Sequence, residues 1–170
     1  EIAQGFREGK SITQLRGIRG TCWRTGKKED IPAGATDGQG KFQPTIFLPS
    51  FKEVSANTPE GKKSFAHSYI MQEKNTDAMS AHILVEQSEE RFVVQEPPAF
   101  PLTTEEFDAV MELPFTRRWH PMYDVPAENG KIGVPGLSEV KFSLVNNRGC
   151  FGACSFCAIT FHQGKRIQCR

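Results

Sequence analysis

The stretch His82-Ile83-Leu84-Val85-Glu86-Gln87-Ser88-Glu89-Glu90-Arg91-Phe92-Val93-Val94-Gln95 decides the fold. Its two halves are rich in β-branched and aromatic side chains, and Ser88-Glu89-Glu90 between them is polar, so the stretch reads as a β-hairpin. Pro97-Pro98 ends it, because proline has no N–H to give to a strand ladder. Upstream, Thr58 can cap a helix and Pro59 suits its first turn. Phe65, Ala66, Tyr69 and Ile70 then form one apolar face of a helix running to about Asn75. Downstream, Thr103 is a cap with Glu106 at the third helical position, and Leu102 is placed to staple onto Phe107. Phe107, Val110 and Met111 make the apolar face there, and Pro114 stops the helix. The fold class these signals predict is α+β: a small antiparallel sheet built on the 83–94 hairpin and covered by the 59–75 and 104–112 helices.

Outside this centre, Ile2 and Phe6 share a helical face before Gly9, and Ser11 with Gln14 fits a capping box over one short turn. Gly20 to Thr25 reads as a strand, Gly26 to Lys41 as a flexible loop, and Pro44 to Pro49 as a short extended piece confined by its prolines to an edge. Gly34, Gly38, Gly40 and Lys41 superficially suggest a phosphate loop, but Ala35 and Phe42 stand where that motif needs Gly and a hydroxyl residue. Residues 114–136 hold Pro114, Pro121, Pro126 and Pro135 with Gly130, Gly133 and Gly136, so they read as an irregular connector pinned by Phe115, Trp119 and Tyr123. Glu139 to Val145 alternates and then becomes apolar, which predicts a strand. Both ends look cut, since Glu1 opens inside a helical pattern and Arg170 follows no cap or turn signal. An excised segment of a longer protein is the expectation.

At 170 residues the chain has room for one modest core. No apolar run approaches bilayer length, so a membrane partner is not expected. With 21 Lys+Arg against 20 Asp+Glu there is no electrostatic footprint for nucleic acid either. Five cysteines are an odd number, and three of them, Cys150, Cys154 and Cys157, crowd onto one stretch. That pattern is unlike a secreted disulfide framework and suits a reducing cytoplasm.

Cys150-Phe151-Gly152-Ala153-Cys154-Ser155-Phe156-Cys157 is a C-x3-C-x2-C on the loop leaving the expected 139–145 strand. Thiolates are soft ligands that suit iron–sulfur clusters and zinc. A cube of iron and sulfide held by three cysteines leaves one iron open to a further ligand, by the logic that separates catalytic from structural zinc sites. Gly149 and Gly152 would let backbone approach a bulky cluster. A structural zinc site is the alternative, with His162 or Cys169 as fourth ligand; another is an interdomain interaction module without catalysis. Cys22 beside Trp23 reads as a buried or half-buried free thiol, and His162 as a hydrogen-bonded structural histidine.

The spacing, with an aromatic just before the last cysteine, resembles the signature of radical S-adenosylmethionine (SAM) enzymes. The wider string from Arg148 to Gly164, together with Pro97-Pro98-Ala99-Phe100-Pro101-Leu102-Thr103 and Leu48-Pro49-Ser50-Phe51, resembles the YgiQ-type members of that group. The resemblance implies that Cys150, Cys154 and Cys157 ligate three irons of a [4Fe–4S] cluster and that SAM chelates the fourth. An electron donor would reduce the cluster, SAM would be cleaved to a 5′-deoxyadenosyl radical, and a substrate not named by these residues would lose hydrogen to it. Phe156 would pack by the adenine, and Gly152 would belong to the surroundings of cluster and SAM. The resemblance further implies three regions: 1–9 as the tail of an upstream domain similar to cobalamin-binding folds, 10–137 as an α+β connector segment, and 138–170 as the first strand and cysteine loop of a truncated (β/α) barrel. Because the chain runs only to Arg170 after Cys157, the segment alone is expected to be inactive.

Overall fold

A computed structural model describes residues 1–152, 154 and 156–169. The chain forms two compact units, one of Glu1–Pro101 with Gly149–Ile167 and one of Leu102–Arg148 with Gln168–Arg170. The first unit runs α1 (Ile2–Arg7), β1 (Cys22–Thr25), β2 (Gly34–Thr36), β3 (Phe42–Pro44), β4 (Ile46–Phe47), α2 (Phe51–Val54), α3 (Pro59–Lys74), β5 (Leu84–Ser88) and β6 (Arg91–Gln95). The second holds α4 (Thr104–Met111), α5 (Leu137–Val140), β7 (Asn147–Arg148) and β8 (Gln168–Cys169), while α6 (Ile159–Gln163) belongs to the first. The class is α+β, as the sequence predicts.

The hairpin is the centre of the first unit. β5 and β6 pair antiparallel with Val85 opposite Val94, and Glu89 takes a positive φ of 53° in the two-residue turn. β1 joins β6 antiparallel, placing Trp23 opposite Val94. On the other side β4 pairs with β5 in parallel, Ile46 opposite Leu84, so the sheet is mixed and ordered β1-β6-β5-β4. This corrects the expectation of a purely antiparallel sheet. Parallel neighbours need a long crossover, and the capped helices α2 and α3 supply it between Phe47 and Leu84.

The core is small. Ile83, Val85 and Val94 are buried, and Trp23, Ile31, Ala35 and Phe92 pack against them. Burial of each of the three aliphatic side chains contributes about 1.5–3 kcal/mol. Ile31 and Ala35 come from the stretch expected to be a flexible loop, which instead folds back as an antiparallel β2–β3 pair. Asp37 pins the turn between those strands. Its carboxylate accepts hydrogen bonds from the amides of Gln39 and Lys41, both at 2.9 Å, and from Gln43 Nε2 at 2.7 Å.

Those donors, the Gln43 side chain foremost, hold the Asp37 carboxyl below its ordinary pKa. A carboxylate depressed in the folded state adds stability that is fully present above the unfolded value, about 3.9, and is lost as pH falls through the lower folded value. Asp37→Ala is therefore expected to lower the urea midpoint at pH 7, with the gap to the parent narrowing below about pH 4. A gap that stays constant with pH would show that the carboxylate charge plays no part.

α3 starts where predicted, with the Thr58 hydroxyl accepting from the Gly61 amide at 3.0 Å and Pro59 in the first turn. Its orientation is not the predicted one. Gly61, Ser68 and Asn75 are buried and Ser64 and Met71 half-buried, whereas Phe65, Tyr69 and Ile70 are 61%, 57% and 49% exposed. The reason is close approach at the start of the helix: a Cβ at Gly61 would stand 2.8 Å from the Ala56 carbonyl carbon, so the Gly61–Ser64–Ser68 side packs inward. Asn75 ends the helix and accepts from the His82 amide at 2.8 Å, joining α3 to β5.

In the second unit, Thr103 and Glu106 form the predicted capping box on α4, and Phe107 is buried while Val110 is 40% exposed. The connector is pinned by Trp119, whose indole donates to Asp124 at 2.8 Å and lies over Gly133, where a side chain would collide with the ring. The strand expected at 139–145 does not form. Residues 137–140 make the helical turn α5, and Phe142 and Leu144 are 78% and 87% exposed. A strand needs a partner for its ladder, and among the described residues none lies beside 139–145, so a local turn satisfies the backbone instead. Among the described residues no helix is long and apolar enough to cross a membrane.

Candidate functional site

The cysteine loop is closed by a glycine-dependent stem. Gly149 has φ +84°, and a Cβ on it would stand 2.8 Å from the Arg166 carbonyl carbon, so the two backbones cross where only glycine fits. Next to this crossing the Cys150 amide donates to the Gly164 carbonyl at 3.1 Å. The loop from Cys150 to Gly164 contains all three cysteines of the motif and α6, in which Thr160 is buried. Ala153 and Ser155, which complete the motif string, lie outside the described residues, as does Arg170.

Within the loop Gly152 stands between two sulfurs. Its amide donates to Cys150 Sγ at 3.3 Å, and the Cys154 thiol donates to its carbonyl at 3.8 Å. A Cβ at Gly152 would be 3.4 Å from one sulfur and 3.7 Å from the other. The Cys157 amide donates to the Cys154 carbonyl at 3.0 Å, closing the turn into the third cysteine. Cys154 is exposed, Cys150 and Cys157 are half-buried, and all three are free thiols. Phe156 is 90% exposed, leaving its ring face open.

The structure thus brings Cys150 and Cys154 to one glycine. Among the described residues it gathers no set of three His, Cys, Asp or Glu side chains around one point. As a donor set, three free thiols on one closed loop, one already accepting an amide N–H, fit a soft thiophilic group such as an iron–sulfur cluster. The other sequence candidates differ from these in setting. His162 is exposed in the last turn of α6, and Cys169 sits in β8 opposite Asn147. Cys22 lies in β1 and is exposed, which corrects the expectation of a buried or half-buried thiol; partial desolvation first and the Glu96 charge second push its thiol pKa up.

Two ion pairs that sequence reasoning missed hold the stem. Lys165 Nζ lies 3.1 Å from Glu73 Oε1 at the end of α3, and Arg166 Nε lies 3.4 Å from Asp77 Oδ1 in the turn after it. The only local signal was a basic pair and two carboxylates four residues apart, far separated along the chain.

Over residues 1–143 the chain matches the family described as Radical SAM N-terminal. A UPF0313 protein of Clostridium botulinum (strain ATCC 19397 / Type A) is 41% identical over 170 residues, covering all of this chain and 23% of that protein. A UPF0313 protein of Methanocella arvoryzae is 38% identical over the same 170 residues, 25% of its length. One of Clostridium perfringens (strain 13 / Type A) is 37% identical, again over 23% of its length. The chain therefore spans about a quarter of the length of the curated relatives it matches. No solved structure matches. The capped helices, the hairpin and the Pro97-Pro98 segment all lie inside the matched region, and on that match the chain belongs to the Radical SAM N-terminal family.

Proposed function

We propose that this chain supplies the N-terminal module and the cluster loop of a radical SAM enzyme, with Cys150, Cys154 and Cys157 as ligands to three irons of a [4Fe–4S] cluster. The observation that carries the reading is the set of three free thiols on one closed loop in a chain of this family. When bound and reduced by an electron donor, the cluster supplies the electron that cleaves SAM to release its 5′-deoxyadenosyl group. The chain's own residues do the rest of the described work. Gly152 leaves room beside two sulfurs, and its amide donates to one of them, withdrawing charge from a thiolate ligand. The open face of Phe156 offers a stacking surface to the adenine of SAM. In this reading residues 1–9 end an upstream domain, 10–137 form the connector segment, and 138–170 open the barrel, in a cytoplasmic enzyme that uses neither membrane nor nucleic acid.

The test is anaerobic reconstitution of the full-length polypeptide with iron and sulfide, then reduction in the presence of SAM. A brown protein that releases 5′-deoxyadenosine is the expected result. A colourless protein carrying zinc, whose filled d shell absorbs no visible light, overturns the reading. So does a confirmed intact cluster with no release.

A further inference from the structure

We infer that α3 is the anchor of the cysteine loop, with Glu73 and Asp77 as positioning residues that act through Lys165 and Arg166. The functional meaning of this rests on the proposed cluster reading; the anchoring itself rests on geometry alone. The loop leaves and returns at one place, where Gly149 crosses the Arg166 backbone and the Cys150 amide meets the Gly164 carbonyl. Lys165 and Arg166 lie on that stem, and they reach Glu73 in the last turn of α3 and Asp77 in the turn after it. Of the two carboxylates, Asp77 is held by a second bond. Asp77 Oδ1 also accepts the Met79 amide at 3.2 Å, and Asn75 between the two donates to the Met71 carbonyl at 2.8 Å. α3 is in turn buried along Gly61, Ser68 and Asn75. A rigid element of the N-terminal module thereby holds the base of the thiol-bearing loop.

Closing the stem lowers the entropy cost of bringing three thiols to one cluster, because the loop ends no longer need to find each other. Ion pairs at partly exposed positions are each worth about 1.4- to 5-fold in an equilibrium, so the two together shift stem opening by roughly two- to thirtyfold. Their partial exposure also makes the anchor weaker at high salt.

Hydrogen exchange of the intact, metal-free protein tests this at the Cys150 amide, whose protection reports a closed stem. The variants are the double reversal Glu73→Lys with Asp77→Lys, and the swap that adds Lys165→Glu with Arg166→Glu. The reversal is expected to speed exchange at Cys150 roughly two- to thirtyfold while the Val85 and Val94 amides stay protected, and the swap to restore it. Unchanged exchange in the reversal overturns the anchor, and so does acceleration that the swap fails to restore. Should the reversal disturb α3, Lys165→Ala with Arg166→Ala alters the stem alone and must give the same acceleration. Iron stoichiometry after reconstitution, measured alongside, reads the cluster proposal separately. A wild-type chain that takes up no iron defeats that proposal and leaves the exchange difference standing.

Discussion

Arg19→Met is expected to destabilise the first unit by roughly 3 kcal/mol and to pull its urea midpoint down accordingly. Arg19 Nε donates to the Pro98 carbonyl at 3.0 Å, one terminal nitrogen to Thr36 O at 3.2 Å and the other to Ala78 O at 2.7 Å. Its guanidinium also lies 3.8 Å over the Phe100 ring. One side chain thus ties together four segments that are distant along the chain. A hydrogen bond from a charged donor contributes about 1.5–3 kcal/mol, and the exposed Thr36 bond is readily replaced by water, so the bonds to Pro98 and Ala78 set the estimate. Burial is the leading influence on Arg19 and lowers its pKa, opposed by the charges of Glu96 and Asp37, yet arginine stays cationic at neutral pH. Arg19→Lys keeps the charge without the planar fork, so it is expected to recover only part of the loss. Trp23 fluorescence in a Trp119→Phe background reports the first unit alone. A midpoint unmoved by Arg19→Met would show that the three carbonyls find other donors.

The same contacts explain the Pro97-Pro98-Ala99-Phe100 string. Prolines offer carbonyls without competing N–H donors: Pro97 O accepts the Gly20 amide at 2.7 Å, and Pro98 O accepts Arg19. Glu96, just before them, is buried and takes the Trp23 indole N–H at 2.8 Å. This is a structural clamp, and its chemistry is that of folding.

What could be read from sequence was what is decided locally. Caps at Thr58 and Thr103, the proline stops and the hairpin each depend on a few neighbouring residues, and each appears where those residues place it. What escaped depends on partners far along the chain. The parallel placement of β4 is set by the crossover through α2 and α3, and nothing near Ile46 announces it. The inward face of α3 was legible in principle, as Gly61, Ser64 and Ser68 spaced three and four residues apart and followed by Met71 and Asn75, but Phe65, Tyr69 and Ile70 dominated the pattern. The expected strand at 139–145 failed for the opposite reason, since alternation without a pairing partner specifies nothing. At the site, spacing located the three cysteines, whereas the Gly149 crossing and the two ion pairs became visible only once the chain was folded.

Cys154→Ala carries the largest expected effect on function: iron uptake and 5′-deoxyadenosine release from the full-length polypeptide both fall to background. The loss follows from ligand count, because a cluster held at three irons by one loop has no spare protein ligand. The substitution is expected to leave the fold intact, since Cys154 is exposed and, among the described residues, its side chain makes a weak thiol contact to Gly152 O at 3.8 Å. The remaining cysteines give the contrast that identifies the metal. Cys22 sits in the sheet with its thiol pKa raised, so Cys22→Ala is expected to leave iron uptake unchanged. Cys169→Ala and His162→Ala separate the two site chemistries, because a tetrahedral zinc site built on the same three thiolates needs a fourth protein ligand and these were the candidates for it. Metal content that survives both of those substitutions and vanishes with Cys154 matches a centre with three protein ligands and one open position. Metal lost with Cys169 or His162 would mark a closed structural site instead, and the loop would then serve folding rather than catalysis.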